Sequence, residues 1–187
     1  MANRNTQGFG LIPAGTLGQT PATSGQGKYK IDAGYGTTIY QGGAVASNAG
    51  YIIDGQTTDA PILGVLNGIF YNAATTLKPT FANFYKTPIT PANSEDVDAF
   101  VFDNPQQQYV VATDAAVTQA GFLETYDMNT SAGSTTTGKS SATLDIGDTS
   151  ADAASFRLLR SAEDPENDEN AAFRSVVVCL NLIELQS

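Results

Sequence analysis

The chain has 187 residues, of which 41% are hydrophobic, so it carries enough apolar material for a packed domain and is not of the disordered class. A net charge of -10 argues against a nucleic-acid partner, and the single cysteine, Cys179, excludes an intrachain disulfide scaffold. The sequence has no histidine and no apolar run of membrane-spanning length, so we expect no catalytic site, cofactor, metal or membrane contact.

The charge is unevenly distributed along the chain. Residues 1–90 contain three acidic and five basic residues, whereas residues 91–187 contain sixteen acidic and four basic residues. The mildly basic first half could face an acidic protein partner. The simpler interpretation is that the acidic residues keep the second half in solution.

Residues 1–27 differ in composition from the rest of the chain. They contain no acidic residue, are rich in Gly, Thr, Pro and Ala, and include few sizeable apolar side chains. This composition predicts an extended N-terminal arm that does not build a core alone and becomes ordered against another subunit, for example along the free edge of its sheet. A mobile terminus is the alternative. The predicted partner-binding residues are Phe9, Leu11, Ile12 and Leu17.

From Lys28 onward, short clusters of β-branched and aromatic residues alternate with turn residues, as at 48–50 and 54–55. This pattern is typical of strands joined in hairpins. Residues 61–71 form the strongest predicted strand, and their glycines indicate a β-bulge or a close backbone approach. Residues 72–95 are interrupted by prolines and are predicted as a loop.

The second half repeats this pattern. Further strands are predicted at 97–103, 108–112, 141–146, 155–160 and 173–185. Residues 113–120, which Thr113 or Asp114 could cap, are the candidate for a short helix. The acidic segment 163–170 is predicted as a hairpin loop, and Cys179 is expected to be a small buried apolar side chain.

Evenly spaced short strands without a long amphipathic helix predict an all-β fold. We expect a β-barrel or β-sandwich of short antiparallel strands, with the extended N-terminal arm and at most one or two short helices. The predicted domains are the arm over 1–27 and a β-rich body over 28–187. The charge pattern leaves open a division of the body into two sub-lobes, 28–90 and 91–187.

Residues 133–140 match the P-loop pattern of Gly, four residues, Gly, Lys and Ser. That loop binds phosphate when a buried strand precedes it and a helix follows it, because the helix N-terminus and the loop amides hold the phosphates. The residues before this match are polar and those after it are β-like. We therefore interpret the match as a Ser/Thr/Gly-rich surface loop.

Two groups of carboxylates and a set of tyrosines are further candidate sites. The segment 163–170 could bind a hard cation, but it lacks EF-hand spacing and contains Pro165, so a solvated hairpin tip is preferred. Glu95, Asp96 and Asp98 have no basic or nucleophilic partner nearby in the sequence, so they do not predict a glycosidase. The tyrosines that could stack on sugar rings, or simply pack in hairpins, are Tyr29, Tyr35, Tyr40, Tyr51 and Tyr71.

Segments 8–17, 38–43, 62–71 and 101–109 resemble head proteins of tailed phages, especially phages of marine bacteria. Residues 54–66, with the N-terminal segment, also resemble decoration proteins of the lambda head type. These resemblances imply a non-enzymatic virion protein, made in the host cytoplasm, that binds the capsid surface and cements neighbouring major capsid protein subunits. They also imply a homo-oligomer, a trimer or a dimer. A tail or fibre component and a glycan- or receptor-binding module are the alternatives.

Overall fold

The computed structural model describes residues 5–18, 25–55, 61–129, 133–147 and 154–181. These residues form thirteen strands and two 3-10 turns, and they contain no α-helix. The strands are β1 (Ile12–Thr16), β2 (Gly27–Ile31), β3 (Ala44–Asn48), β4 (Tyr51–Asp54), β5 (Gly64–Asn72), β6 (Pro79–Ala82), β7 (Val97–Phe102), β8 (Gln107–Ala112), β9 (Thr125–Tyr126), β10 (Met128–Asn129), β11 (Thr143–Leu144), β12 (Phe156–Ser161) and β13 (Ser175–Leu180). The 3-10 turns are Ala92–Ser94 and Gln119–Gly121.

The larger sheet has six antiparallel strands in the order β2-β7-β5-β3-β4, with β6 also paired to β5. β3 and β4 form a tight hairpin whose turn residues, Ala49 and Gly50, have φ of 51° and 86°. A two-residue turn with positive φ at both central positions matches the right-handed twist of the two strands that it joins. The end strands β2 and β4 approach each other without pairing, so the sheet is strongly curved.

The smaller sheet has five antiparallel strands in the order β1-β8-β13-β12-β9, and a short β10-β11 pair forms a separate ladder. β13 lies at its centre and is buried along its whole length. Its run of valines, Val176 to Val178, suits a strand that is covered on both faces. Burial raises the pKa of the Cys179 thiol on this strand, which agrees with the expected small apolar role.

Two apolar cores result from this arrangement. The inter-sheet core combines residues of both sheets, such as Val65 of β5 and Val178 of β13. The curved-sheet core lies on the other face of the larger sheet and includes Leu66 of β5 and Val101 of β7. Because side chains alternate along a strand, β5 contributes to both cores from neighbouring positions.

The all-β prediction is confirmed, and the arrangement is sandwich-like because neither sheet closes into a barrel. The bulge predicted within residues 61–71 is present, since the pairing of β5 with β7 shifts between Leu66 and Gly68. Residues 72–95 are not all loop, because β6 lies within them. The predicted strand over 173–185 is observed as β13, and residues 182–185 lie outside the described residues.

The short helix predicted over 113–120 is wrong. The Thr113 N–H donates to the carbonyl of Arg174 at 2.9 Å, and the Asp114 N–H donates to that of Leu144 at 3.0 Å. The Thr113 carbonyl, which would accept the first hydrogen bond of such a helix, instead accepts from the Phe173 N–H at 2.8 Å, so tertiary pairing overrides a weak local propensity. A 3-10 turn at Gln119–Gly121 is the helical structure that remains there.

The N-terminal arm predicted over 1–27 requires correction for residues 5–18. β1 pairs with β8 of the same chain, and Leu11 is 1% exposed within the inter-sheet core. This part of the segment therefore completes the fold instead of standing free. Residues 1–4 and 19–24 lie outside the described residues. The sheets also do not follow the suggested sub-lobes, because β7 belongs to the larger sheet and β1 to the smaller one.

Candidate interaction surface

The four predicted partner-binding residues have different positions in the fold. Leu11 is buried in the inter-sheet core, so little of its side chain is accessible to a partner. Ile12 and Leu17 are 51% and 42% exposed, and Phe9 is half-buried. Three of the four side chains are thus accessible on or beside β1.

Phe9 and Ile12 line a groove of about 230 Å³ where β1 meets the larger sheet. The lining is mainly apolar and includes Pro13 and Phe102, while Lys139 supplies a positive charge. We call this groove, together with the exposed Ile12 and Leu17, the β1 surface. It offers apolar contact area with one cationic group.

Glycines hold the N-terminal segment close to the body. A side chain at Gly8 would collide with the carbonyl of Ser141, and a Cβ at Gly10 would lie 2.8 Å from the carbonyl oxygen of Gly42. Gly10 also has φ of 73°, a conformation that glycine adopts at little cost. The Leu11 N–H then donates to the same Gly42 carbonyl at 2.8 Å, which places the Leu11 side chain in the core.

The polar rim of the groove is held by amide side chains. Gln41 Nε2 donates to Asn67 Oδ1 at 3.2 Å, and Asn83 Nδ2 donates to Gln41 Oε1 at 3.4 Å. Such a network fixes the rim before any partner binds. The surface is therefore largely preformed.

β1 is an edge strand with features that hinder further strand pairing. Pro13 has no N–H to donate, and the pairing with β8 is irregular between Pro13 and Gly15. Proline and bulges at an edge protect a sheet from uncontrolled strand addition. The accessible side chains of β1 are therefore better suited to binding a partner than its free backbone edge.

The P-loop-like segment 133–140 lacks the structure that binds phosphate. Its backbone N–H groups are used inside the protein: that of Gly138 donates to Ser134 at 2.7 Å, and that of Ser140 donates to Gln41 at 2.9 Å. The segment itself forms a bridge to Gln41 at Lys139, and β11 follows it where a P-loop would require a helix. The interpretation as a surface loop agrees with this geometry.

The acidic hairpin 163–170 joins β12 to β13 and is anchored by the buried Arg174. The Arg174 guanidinium pairs with Glu169 at 3.2 Å, donates to the Val117 carbonyl at 3.1 Å and lies 5.3 Å from the Phe122 ring centroid. No group of three or more potential metal ligands occurs within the described part of the chain. The hairpin is therefore attached to the body of the protein through Arg174.

Asp98 forms the main charged cluster of the larger sheet. The Lys28 and Lys30 ammonium groups lie 2.8 Å and 2.6 Å from its carboxylate oxygens. Partial burial opposes ionisation of Asp98, but the two ammonium groups together outweigh it and hold the pKa of Asp98 below its ordinary value. The contact with Asp98 correspondingly raises the pKa of Lys30.

The tyrosines singled out as sugar platforms mostly have partners inside the protein. The Tyr29 hydroxyl donates to Asp103 at 2.7 Å, and the Tyr51 hydroxyl donates to Asp96 at 3.3 Å. Tyr35 accepts a hydrogen bond from a backbone N–H, Tyr40 stacks on Phe84, and Tyr71 packs against the curved-sheet core. Their roles are therefore mainly structural.

Sequence reasoning missed most of the residues that complete the β1 surface. Pro13, Asn67, Phe102 and Lys139 are distant from one another along the chain, and tertiary packing brings them to one groove. The alternation Gly8-Phe9-Gly10-Leu11 was the available local signal, since small residues beside a large apolar one indicate close packing.

No helix among the described residues combines the length and the apolar character needed to cross a membrane. Comparisons of the chain with protein-family models, with curated proteins and with solved structures find no match. The functional conclusion therefore depends on the fold, the β1 surface and the resemblances of the sequence.

Proposed function

We propose that this protein is a structural protein of a tailed-phage virion that binds the outside of the capsid and cements neighbouring major capsid protein subunits. The observation that carries the proposal is the β1 surface, with Ile12 and Leu17 51% and 42% exposed beside an apolar groove. Burying such side chains against a partner is favourable by about 25 cal/mol per Å² of apolar surface. The resemblance of segments 8–17, 38–43, 62–71 and 101–109 to phage head proteins suggests the class of partner.

The preformed geometry suits a cementing role. Because β1 is already paired with β8, binding through its side chains orders little additional backbone and loses little conformational entropy. A standard interface of about 800 Å² per partner would allow stable binding without any chemical step. Each such contact raises the free energy needed to separate capsid subunits under the pressure of packaged DNA.

The local charge also suits binding to an acidic or neutral capsid surface. Residues 5–18 contain no charged side chain, and Lys139 lines the groove. The acidic residues of the chain are concentrated after residue 90. The β1 surface therefore avoids the repulsion that the acidic second half would create against an acidic partner.

A rebinding assay with phage heads tests the proposal. Heads assembled without this chain are mixed with the purified protein, and the bound fraction is measured by sedimentation. We expect saturable binding of the wild type and binding at least about tenfold weaker for Ile12→Asp/Leu17→Asp, because a carboxylate at each position must be desolvated in the interface.

The matched control is Leu77→Asp/Leu123→Asp, which changes two other exposed leucines, 72% and 63% exposed. Leu77 lies between β5 and β6, and Leu123 lies next to β9 at the opposite edge of the smaller sheet from β1. The control variant should bind heads like the wild type. Absence of wild-type binding to heads, or binding to tails alone, would contradict the proposed function. Equal binding by the Ile12/Leu17 variant would exclude the β1 surface.

A further inference from the structure

A second groove, of about 410 Å³, lies on the larger sheet between the end of β5 and the turn that precedes β7. We call it the outer groove. The lining residues that matter for its chemistry are Lys30, Phe70, Asn93, Ser94, Glu95 and Asp98. It shares none of its lining with the β1 surface.

The outer groove borders an aromatic face of the sheet through Phe70. Strand register places Phe70 directly opposite Asp98 on β7 and Phe81 on β6, and directly opposed side chains lie on the same face of a sheet. Phe81 is 65% exposed, and its ring centroid lies 6.0 Å from that of Phe100. Of these rings only Phe70 lines the groove, and Phe81 and Phe100 extend the same apolar face of the sheet beyond it.

Much of the remaining lining is polar and carries hydrogen-bonding side chains. Asn93, Ser94 and Glu95 are exposed, and their side chains form no hydrogen bond with any residue that the structure describes. The turn that carries them is ordered by a hydrogen bond from the Glu95 N–H to the Ala92 carbonyl at 3.1 Å. The groove thus has an amide, a hydroxyl and a carboxylate available for a ligand.

We propose that the outer groove binds a neutral saccharide. A pyranose ring has an apolar C–H face that packs on an aromatic ring, and hydroxyl groups that both donate and accept hydrogen bonds. The groove offers both kinds of contact, with acceptors on Glu95 and Asn93 and donors on Lys30 and Ser94. This inference goes beyond capsid binding and does not depend on it.

The excess of carboxylates over lysines near the outer groove favours neutral saccharides over anionic ones. Glu95, Asp96 and Asp98 outnumber the two lysines of the cluster, and both lysines already contact Asp98. The remaining carboxylates would repel an anionic saccharide, whereas they would accept hydrogen bonds from the hydroxyl groups of a neutral saccharide.

The test is titration of the full chain with neutral oligosaccharides of glucose, mannose, galactose and N-acetylglucosamine, and with a sialylated and a uronic-acid oligosaccharide. Binding is measured by calorimetry and by saturation-transfer NMR. We expect at least one neutral oligosaccharide to bind and the anionic ones to bind at least about tenfold more weakly.

The groove variant is Asn93→Gly/Glu95→Ala, in which glycine suits the positive φ of 56° at position 93. It should weaken saccharide binding at least about tenfold with an unchanged melting temperature. The control Glu163→Ala removes an exposed carboxylate in the acidic hairpin and should leave saccharide binding unchanged. The inference is overturned if no neutral oligosaccharide binds at up to about 10 mM. Equal binding by the groove variant, or preferred binding of the anionic sugars, would overturn it as well.

Discussion

At the residue scale, two charged side chains connect parts of the fold that are distant in sequence. Asp98 on β7 holds Lys28 and Lys30 of the edge strand β2, and Arg174 holds the acidic hairpin against Phe122 and Val117. The lysines are 59% and 50% exposed, so their ion pairs are partly screened by water. Arg174 is 3% exposed and is more costly to leave without partners.

The Asp98 cluster should give the protein a measurable pH dependence. A carboxyl whose pKa is lower in the folded state stabilises the fold above its unfolded pKa, and this stabilisation is lost as the pH falls through the folded pKa. For Asp98 the loss begins near the ordinary value of 3.8 and continues below it. Urea unfolding at pH values from 7 to 2.5 should show Asp98→Asn less stable than the wild type at pH 7, with the difference shrinking below pH 4.

The control for this prediction is Glu163→Gln, because Glu163 is an exposed carboxylate in the acidic hairpin. It should follow the wild-type pH dependence throughout. A constant difference between wild type and Asp98→Asn down to pH 2.5 would show that the loss comes from packing and not from ionisation.

At the scale of elements, β1 changes the interpretation of the N-terminal segment. The composition of this segment resembles that of a free arm. However, Gly8 and Gly10, which flank the larger side chains, allow its backbone to pack closely against Gly42 and residues 140–142. The same element carries the exposed Ile12, so one short stretch serves both the core and the candidate interaction surface.

Neighbouring alanine substitutions test this dual role. Leu11→Ala should lower the free energy of unfolding by about 2–5 kcal/mol, because it leaves a cavity in the inter-sheet core. Ile12→Ala, at a half-exposed position, should cost about 1 kcal/mol or less. Urea unfolding followed by tyrosine fluorescence measures both, since the chain has eight tyrosines and no tryptophan. Equally small losses for the two variants would mean that β1 is not packed on its own chain in solution.

At the scale of the whole molecule, the two cores are not independent. β5 places Val65 in the inter-sheet core and Leu66 in the curved-sheet core, and β7 does the same with Phe102 and Val101. Because both cores use side chains of β5 and β7, unfolding of one core would also disrupt the other. The described sheets should therefore unfold together.

Calorimetry of the full chain should show one unfolding transition with calorimetric and van't Hoff enthalpies in agreement. Val65→Ala and Leu66→Ala each enlarge a cavity in a different core, and both should lower the temperature of that same transition. Two transitions, each sensitive to one of the substitutions, would instead support independent sub-lobes.

The sequence predicted the strands best where the signal is local. The segments around 61–71, 97–103 and 108–112 combine β-branched residues with turn residues at both ends, and β5, β7 and β8 are found there. The helix predicted for 113–120 is absent because the backbone there forms hydrogen bonds with distant parts of the chain. Strand β6 was not predicted because Pro79 and its neighbours give a weak strand signal. The candidate site was predicted in part: Phe9, Leu11 and Ile12 all line the groove, although Leu11 is buried, and most of the other lining residues come from distant parts of the chain.

What the sequence determined by itself was the all-β class, the position of the main strands, the bulge in β5 and the loop character of 133–140, because these follow from periodicity, glycine content and turn chemistry over a few residues. Only the tertiary structure decided that β1 pairs with β8, that Leu11 is core, and that Phe70, Phe81 and Asp98 share one face. These features depend on contacts between residues that are distant in the chain, and the apolar side chains of a Gly-rich segment look alike in sequence whether they face a core or a partner.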